Sequence, residues 1–182
     1  MKSYFLILLL ICTLLSACDL TSTSNYTPQI TFVTKPLTNK NDTLSAKYTD
    51  VADVYMLDSI SVGDTVTFHV LLNGFSNNLT SYTINRSDTT STRLLLPGKN
   101  SLDSVFNSTA SNYSKGKFIF KTSVLNLYFP FKYIALKESD NAQISFTLFS
   151  DANFDGGTFI GTNSTSFVLK TPIKKAKNQS LN

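Results

Sequence analysis

The sequence predicts an all-β domain, an antiparallel two-sheet sandwich, with a jelly roll or a small β-barrel as the alternative architectures. Short segments of alternating apolar and polar residues recur at roughly ten-residue spacing between clusters of Gly, Asn, Asp and Ser. The composition is rich in Ser, Thr and Asn, with 14 Phe and 8 Tyr, no Trp and a single glutamate, Glu138. Strand formers therefore outweigh helix formers. No segment offers a long amphipathic helix.

The strands follow in chain order. "QITFV" (29–33) precedes "TKPLTNKND", a turn-rich linker. "DVYML" (53–57) leads into "DSISVGDTVTFHVLLNG", the clearest strand pair, in which Gly63-Asp64 punctuates. Val66, Phe68, Val70 and Leu72 alternate there with Thr65, Thr67, His69 and Leu71, which turns the first set toward the core. Further strands are expected at 79–86, 92–97, 116–124, 126–136, 142–150 and 165–171, with a short helical turn through Leu102, Val105 and Phe106. Pro130 interrupts "NLYFPFKYIAL" and cannot donate to a ladder, so that run is an edge strand or two strands, with a bulge or corner at Phe129-Pro130 preferred.

The first residues, MKSYFLILLLICTLLSACDL, place Lys2 before an apolar run and then small residues, the order of an export signal. The run from Tyr4 to Leu15 is short for a spanning helix of about 20 residues. The ending Leu15-Ser16-Ala17-Cys18 resembles the bacterial lipoprotein box, which implies cleavage before a lipidated Cys18. Several acyl chains on one residue would hold the protein to a membrane, where a single chain would not. Cys12 leaves with the signal and Cys18 is blocked, so the exported body carries no thiol, disulfide or cysteine metal site. Asp19 resembles the inner-membrane retention signal of enteric bacteria, but that rule is lineage-specific and leaves the choice of membrane open; outer membrane or surface is the expectation favoured over inner membrane.

The expected organisation is a signal over 1–17, a flexible tether over 18–28, one β-sandwich domain over 29–171 and a basic flexible tail over 172–182. Formal charge is +4, but the 16 basic residues include Lys2 and the lysines 170, 174, 175 and 177. Without those five the body is near neutral, which removes nucleic acid as a partner, since that needs clustered basic residues on a folded face. The tail reads first as solvated, and second as a contact for anionic headgroups or cell-wall polymers.

Catalysis finds little support. His69 is the single histidine, on the solvent side of its strand by alternation, and no nucleophile elbow accompanies it. One His and no usable Cys argue against zinc. Only aspartates and Glu138 could serve glycoside hydrolysis, and no pattern pairs them. The metal candidate is "DANFDGG" (151–157), whose Asp151, Asn153 and Asp155 match the opening of a calcium loop. Position twelve is Thr162 rather than the closing acid, and Asp155-Gly156 reads more simply as a hairpin turn, so no cofactor is expected, calcium being the one possibility. The densest apolar region holds Tyr128, Phe129, Phe131 and Tyr133 with Phe118 and Phe120. Core packing is the ordinary reading of such rings. Alternation would turn some outward, which makes Tyr128, Phe129, Phe131 and Tyr133 candidates for a glycan or partner surface.

Five of the 11 aspartates precede Ser or Thr and then an aliphatic residue or Thr, at Thr43, Ser59, Thr65, Thr89 and Ser104. The pattern resembles the O-glycosylation acceptor of the Bacteroidota group. Turn chemistry, with Asp ending a loop and Ser or Thr starting a strand, is the alternative. Asn78-Leu79-Thr80 and Asn163-Ser164-Thr165 are by-products of composition. The body, through its "ISVGDTVTFHVLLNG" pattern, resembles bacterial immunoglobulin-like modules, and the whole chain resembles a Bacteroidota-type envelope lipoprotein. That resemblance implies a lipid-anchored, non-catalytic binding or adhesion module for glycan, peptide or host ligand. A structural accessory subunit of an outer-membrane complex is the alternative.

Overall fold

The fold is described by a computed structural model over residues 25–155 and 160–176. The signal segment, Cys18, Asp19, Gly156, Gly157 and Lys177 lie outside the described residues.

The first sheet comprises β1 (Gln29–Phe32), β2 (Leu37–Thr38), β6 (Thr65–Asn73), β8 (Thr92–Leu95) and β10 (Asn126–Ala135). Its order is β1-β6-β10-β8, with β2 also pairing with β6. The second comprises β3 (Ala46–Tyr48), β4 (Val54–Leu57), β7 (Leu79–Arg86), β9 (Lys117–Ile119), β11 (Gln143–Ser150) and β12 (Ser164–Lys170), in the order β3-β4-β12-β11-β7-β9. Two short strands, β5 (Ile60–Ser61) and β13 (Ile173–Lys174), form a small parallel ribbon. Helix α1 (Lys99–Val105) and a 3₁₀ turn (Tyr113–Lys115) lie between β8 and β9. The all-β sandwich is therefore realised with open edges and no closed barrel. It is antiparallel except at β4–β12 and β5–β13.

Alternation builds the core. On β6, Val66, Phe68, Val70 and Leu72 are all 0% exposed, while their neighbours face outward. Within the first sheet Phe68 stacks on its ladder partner Phe131 at 4.9 Å, within the second Phe146 of β11 meets its partner Phe167 at 4.7 Å, and Phe32 crosses the interior to meet Phe146 edge-on at 6.1 Å. A second aromatic group joins Tyr82 and Phe118 of the second sheet to Phe129 of the first, with Phe106 closing it from the end of α1. Such pairs add about 0.5–1.5 kcal/mol each beyond area burial. Tyr133 also crosses the interior, its hydroxyl 2.8 Å from Thr171 Oγ1.

Tyr82 is the exception to polar satisfaction. Its ring is fully buried, its hydroxyl has no hydrogen-bond partner among the described residues, and burial raises its pKa far above the ordinary tyrosine value. The phenol is thus neutral and orphaned. Tyr82→Phe is expected to stabilise the domain by about 1 kcal/mol, because it deletes a desolvated group that gains nothing in return. A urea midpoint lower than that of the parent would refute the assignment.

Three boundary expectations change. β10 runs unbroken through Pro130, which pairs with His69 without a register shift, so neither a bulge nor a corner forms. The carbonyl of His69 accepts from Val33 N–H on the β1 side, so His69 and Pro130 face each other as a pair without mutual hydrogen bonds. The Pro130 nitrogen then points toward the β8 side, where pairing begins only at Lys132, and no bond is lost. The domain also extends past 171, because Ile173 is 1% exposed and pairs with Ile60. At the other end the tether's last residues join the fold: Pro28 is buried, and Tyr26 packs on Phe75 at 5.3 Å.

Candidate binding cleft

Of the four aromatic surface candidates, only Tyr128 is presented, at 50% exposure. Phe129, Phe131 and Tyr133 are buried, because Phe129, Phe131 and Tyr133 occupy the inward phase of β10 opposite Val70, Phe68 and Val66. Tyr128 stacks on His69 at 5.7 Å and its hydroxyl hydrogen-bonds His69 Nδ1. Around that pair the outer face of the first sheet exposes Val33, Leu37 and Leu95, whereas the second sheet turns Thr83, Ser145, Thr147 and Ser166 outward. The second sheet also exposes Tyr48, Met56 and Phe149, so both outer faces carry apolar residues.

The calcium candidates are used within the fold. Both carboxylate oxygens of Asp151 accept from Asn78, at 2.7 Å from its N–H and 2.8 Å from its side-chain amide. Asn153 Oδ1 accepts from Asp155 N–H at 2.9 Å, an Asx turn in the connection from β11 to β12. Among the described residues no group of three or more His, Cys, Asp or Glu gathers as a metal site. Glu138 is exposed, beside Ser139, whose hydroxyl donates to Asp88.

The five Asp-Ser/Thr positions divide by exposure. Thr43, Ser59, Thr89 and Ser104 are exposed, while Thr65 is half-buried in β6 with its N–H bonded to Asn39. Each preceding aspartate is engaged in the fold. Asp58 accepts from Ser45 N–H at 2.8 Å, and Asp64, 5% exposed, accepts from Ser61 N–H at 2.8 Å and pairs with Lys40 at 2.6 Å. Asp88 accepts from Ser91 N–H, Thr90 and Ser139, which hold its carboxyl well below the usual range. Asp103 is lowered likewise by Lys99 and by the hydroxyl of Tyr113. Asp42 takes a longer contact from Thr38.

One opening went unread in the sequence. On the open side of the sandwich, the edge strand β8 stands across from the end of β7 and the 3₁₀ turn, bounding a cleft of about 720 Å³. That size falls among small-ligand sites, which run about 300–1,000 Å³. Its lining includes Arg86, Arg93, Lys115, Tyr113 and Leu94–Leu96, and no carboxylate. Arg86 stands opposite Ile144, which is 0% exposed, so it occupies the inward phase of β7, and its Nε is buried with no hydrogen-bond partner among the described residues. None of the three cations forms an ion pair among those residues. Burial, then the Asp103 carboxylate, pushes the Tyr113 phenol up to about 12, so it remains a neutral donor at physiological pH. Cations without partners in a lined opening favour anionic ligands.

The fold and cleft define a class: an all-β sandwich with one open, cationic side. Compared with known protein families and with curated proteins, the chain matches none. Among solved structures it is similar to a DUF4466 family protein from Parabacteroides merdae ATCC 43184, at 13% identity and a TM-score of 0.37. The match covers 78% of this chain and 45% of that one, so the chain spans less than half of that protein's length.

Proposed function

We propose that this chain is a cell-envelope lipoprotein of Bacteroidota type, anchored through lipid on Cys18, whose immunoglobulin-like sandwich is a non-catalytic binding or adhesion module. The observation that carries the reading is the position of the cleft. Asn25, the first described residue, is bonded to Asn77 and Asn153 at the end of the sandwich where β6 finishes and β7 starts. Arg86 lies at the finish of β7, so the cleft opens toward the other end from Asn25, which supports a site held clear of a membrane if the chain is anchored at Cys18. Thr65 and Thr89 share that distal end, and we assign O-glycan to the exposed acceptors Thr43, Ser59 and Ser104 rather than to half-buried Thr65 or to Thr89, which lines the cleft. The exposed apolar residues around Tyr128 favour a second reading, an accessory subunit that seats this face on an envelope partner.

The test takes the chain in its native membrane. Wild type should incorporate labelled palmitate and fractionate with membranes, and Cys18→Ser should lose both. Palmitate retained by Cys18→Ser would refute the anchor. Affinity purification with mass spectrometry should recover sugar on Thr43, Ser59 and Ser104. Tight recovery of one membrane protein, lost on Tyr128→Ser, would favour the accessory-subunit reading.

A further inference from the structure

We infer that the cleft is a strand-addition site for an extended acidic peptide, which pairs its backbone with β8 and places a carboxylate on Arg86. The inference deepens the binding-module reading and rests on it. The first observation concerns β8. Among the described residues it pairs on one side only, with β10 over Thr92–Leu95, so its other side carries the unpaired N–H and C=O groups of an edge strand. Arg93, Leu94, Leu95 and Leu96 all line the cleft, although successive residues of a strand point to opposite faces. The strand's edge, rather than one of its faces, therefore looks into the opening. Peptides bind such edges by main-chain hydrogen bonds and are selected by alternate side chains.

The second observation is charge. Arg86 projects inward with a buried, unpartnered Nε, and Arg93 and Lys115 line the same opening. Two carboxylates adjoining the cleft are already engaged: Asp88, two residues beyond Arg86, by Thr90, Ser91 and Ser139, and Asp103 by Lys99 and the cleft residue Tyr113. A peptide carboxylate would supply the acceptor that Arg86 lacks, and its forked donors suit two-oxygen recognition. The apolar Leu94 and Leu96 positions suit an alternating sequence, apolar at every second residue. A polyuronate shares the negative charge but has no N–H and C=O ladder to offer the edge, so the free edge decides for a peptide.

The test uses the full chain and a fluorescent peptide alternating valine and aspartate. Saturable binding is expected, weakened by added salt and lost when the peptide backbone is N-methylated on its pairing side. Arg86→Gln should weaken binding roughly ten-fold or more, the effect of a deleted charged hydrogen bond. Should Arg86→Gln fail to fold, exposed Lys115→Gln and the asparagine twin of the peptide give the same readout. Equal binding of the asparagine twin, or of the N-methylated peptide, would overturn the inference. Binding of an oligogalacturonate in place of the peptide would also overturn it while leaving the binding-module reading standing.

Discussion

Phe146→Ala is expected to destabilise the domain by about 3–5 kcal/mol, the range for emptying a buried aromatic site. Phe146 is 0% exposed at the middle of β11, a strand flanked on both sides by β7 and β12. Its ring contacts reach both sheets: Phe32 and Phe131 in the first, Phe167 in the second. Collapse of the hole would require both sheets to move together, and the ladders on either side of β11 resist that. Against a typical domain stability of about 5–15 kcal/mol the loss is large. Chemical denaturation with near-ultraviolet circular dichroism measures it. A loss below about 1 kcal/mol would mean that the two sheets close over the vacated site, contrary to the resistance assigned to the β11 ladders.

The strands were legible because the code for them is local. Val66 to Leu72 alternates without a fault, and the predicted run 79–86 coincides with β7. The aromatic run was legible as core packing, but the four surface candidates were not separated by phase, although period two assigns Phe129, Phe131 and Tyr133 to the core and leaves only Tyr128 outside. Two boundaries failed for a shared reason. Ile173 pairs with Ile60, and buried Pro28 follows Tyr26 and Thr27, which meet Phe75 and Thr162 far away in the chain; a window that sees basic or polar neighbours reads them as tail and tether. Pro130 misled because its cost depends on which side of β10 is paired at that point, and that side is set by where β8 ends.

The cleft was invisible for a deeper reason: β7, β8 and the 3₁₀ turn meet only once the sheet order is known. A faint sign was present nonetheless. Arg86 falls in phase with Tyr82 and Ile84, at the position where the core pattern of β7 calls for an apolar residue. A cation on the inward phase of a strand needs either a buried acid or an opening. Arg86 has the opening, and the edge strand beside it gives that opening a backbone to pair with.

Gly116→Ala should cost about 2–3 kcal/mol, and the comparison with Gly63→Ala separates its two causes. Both glycines have positive φ, 65° at Gly116 and 91° at Gly63, where an L side chain is strained by about 1–2 kcal/mol. A Cβ at Gly63 would meet nothing within 4 Å, so that variant should lose only this backbone term. At Gly116 the added carbon would stand 1.9 Å from the carbonyl oxygen of Ile84. That carbonyl belongs to β7, and the N–H of the same residue donates to Gly116 carbonyl at 2.9 Å, so the two chains cannot part without breaking the bond. Gly116 also ends the 3₁₀ turn and lines the cleft beside Lys115 and Arg86. The strain therefore acts on the cleft as well as on the global fold. Gly116→Ala should weaken acidic-peptide binding and lower the urea midpoint more than Gly63→Ala, which leaves binding unchanged. Equal midpoints for the two would show that β7 yields without cost, and the close approach at Gly116 would then not be what positions Arg86.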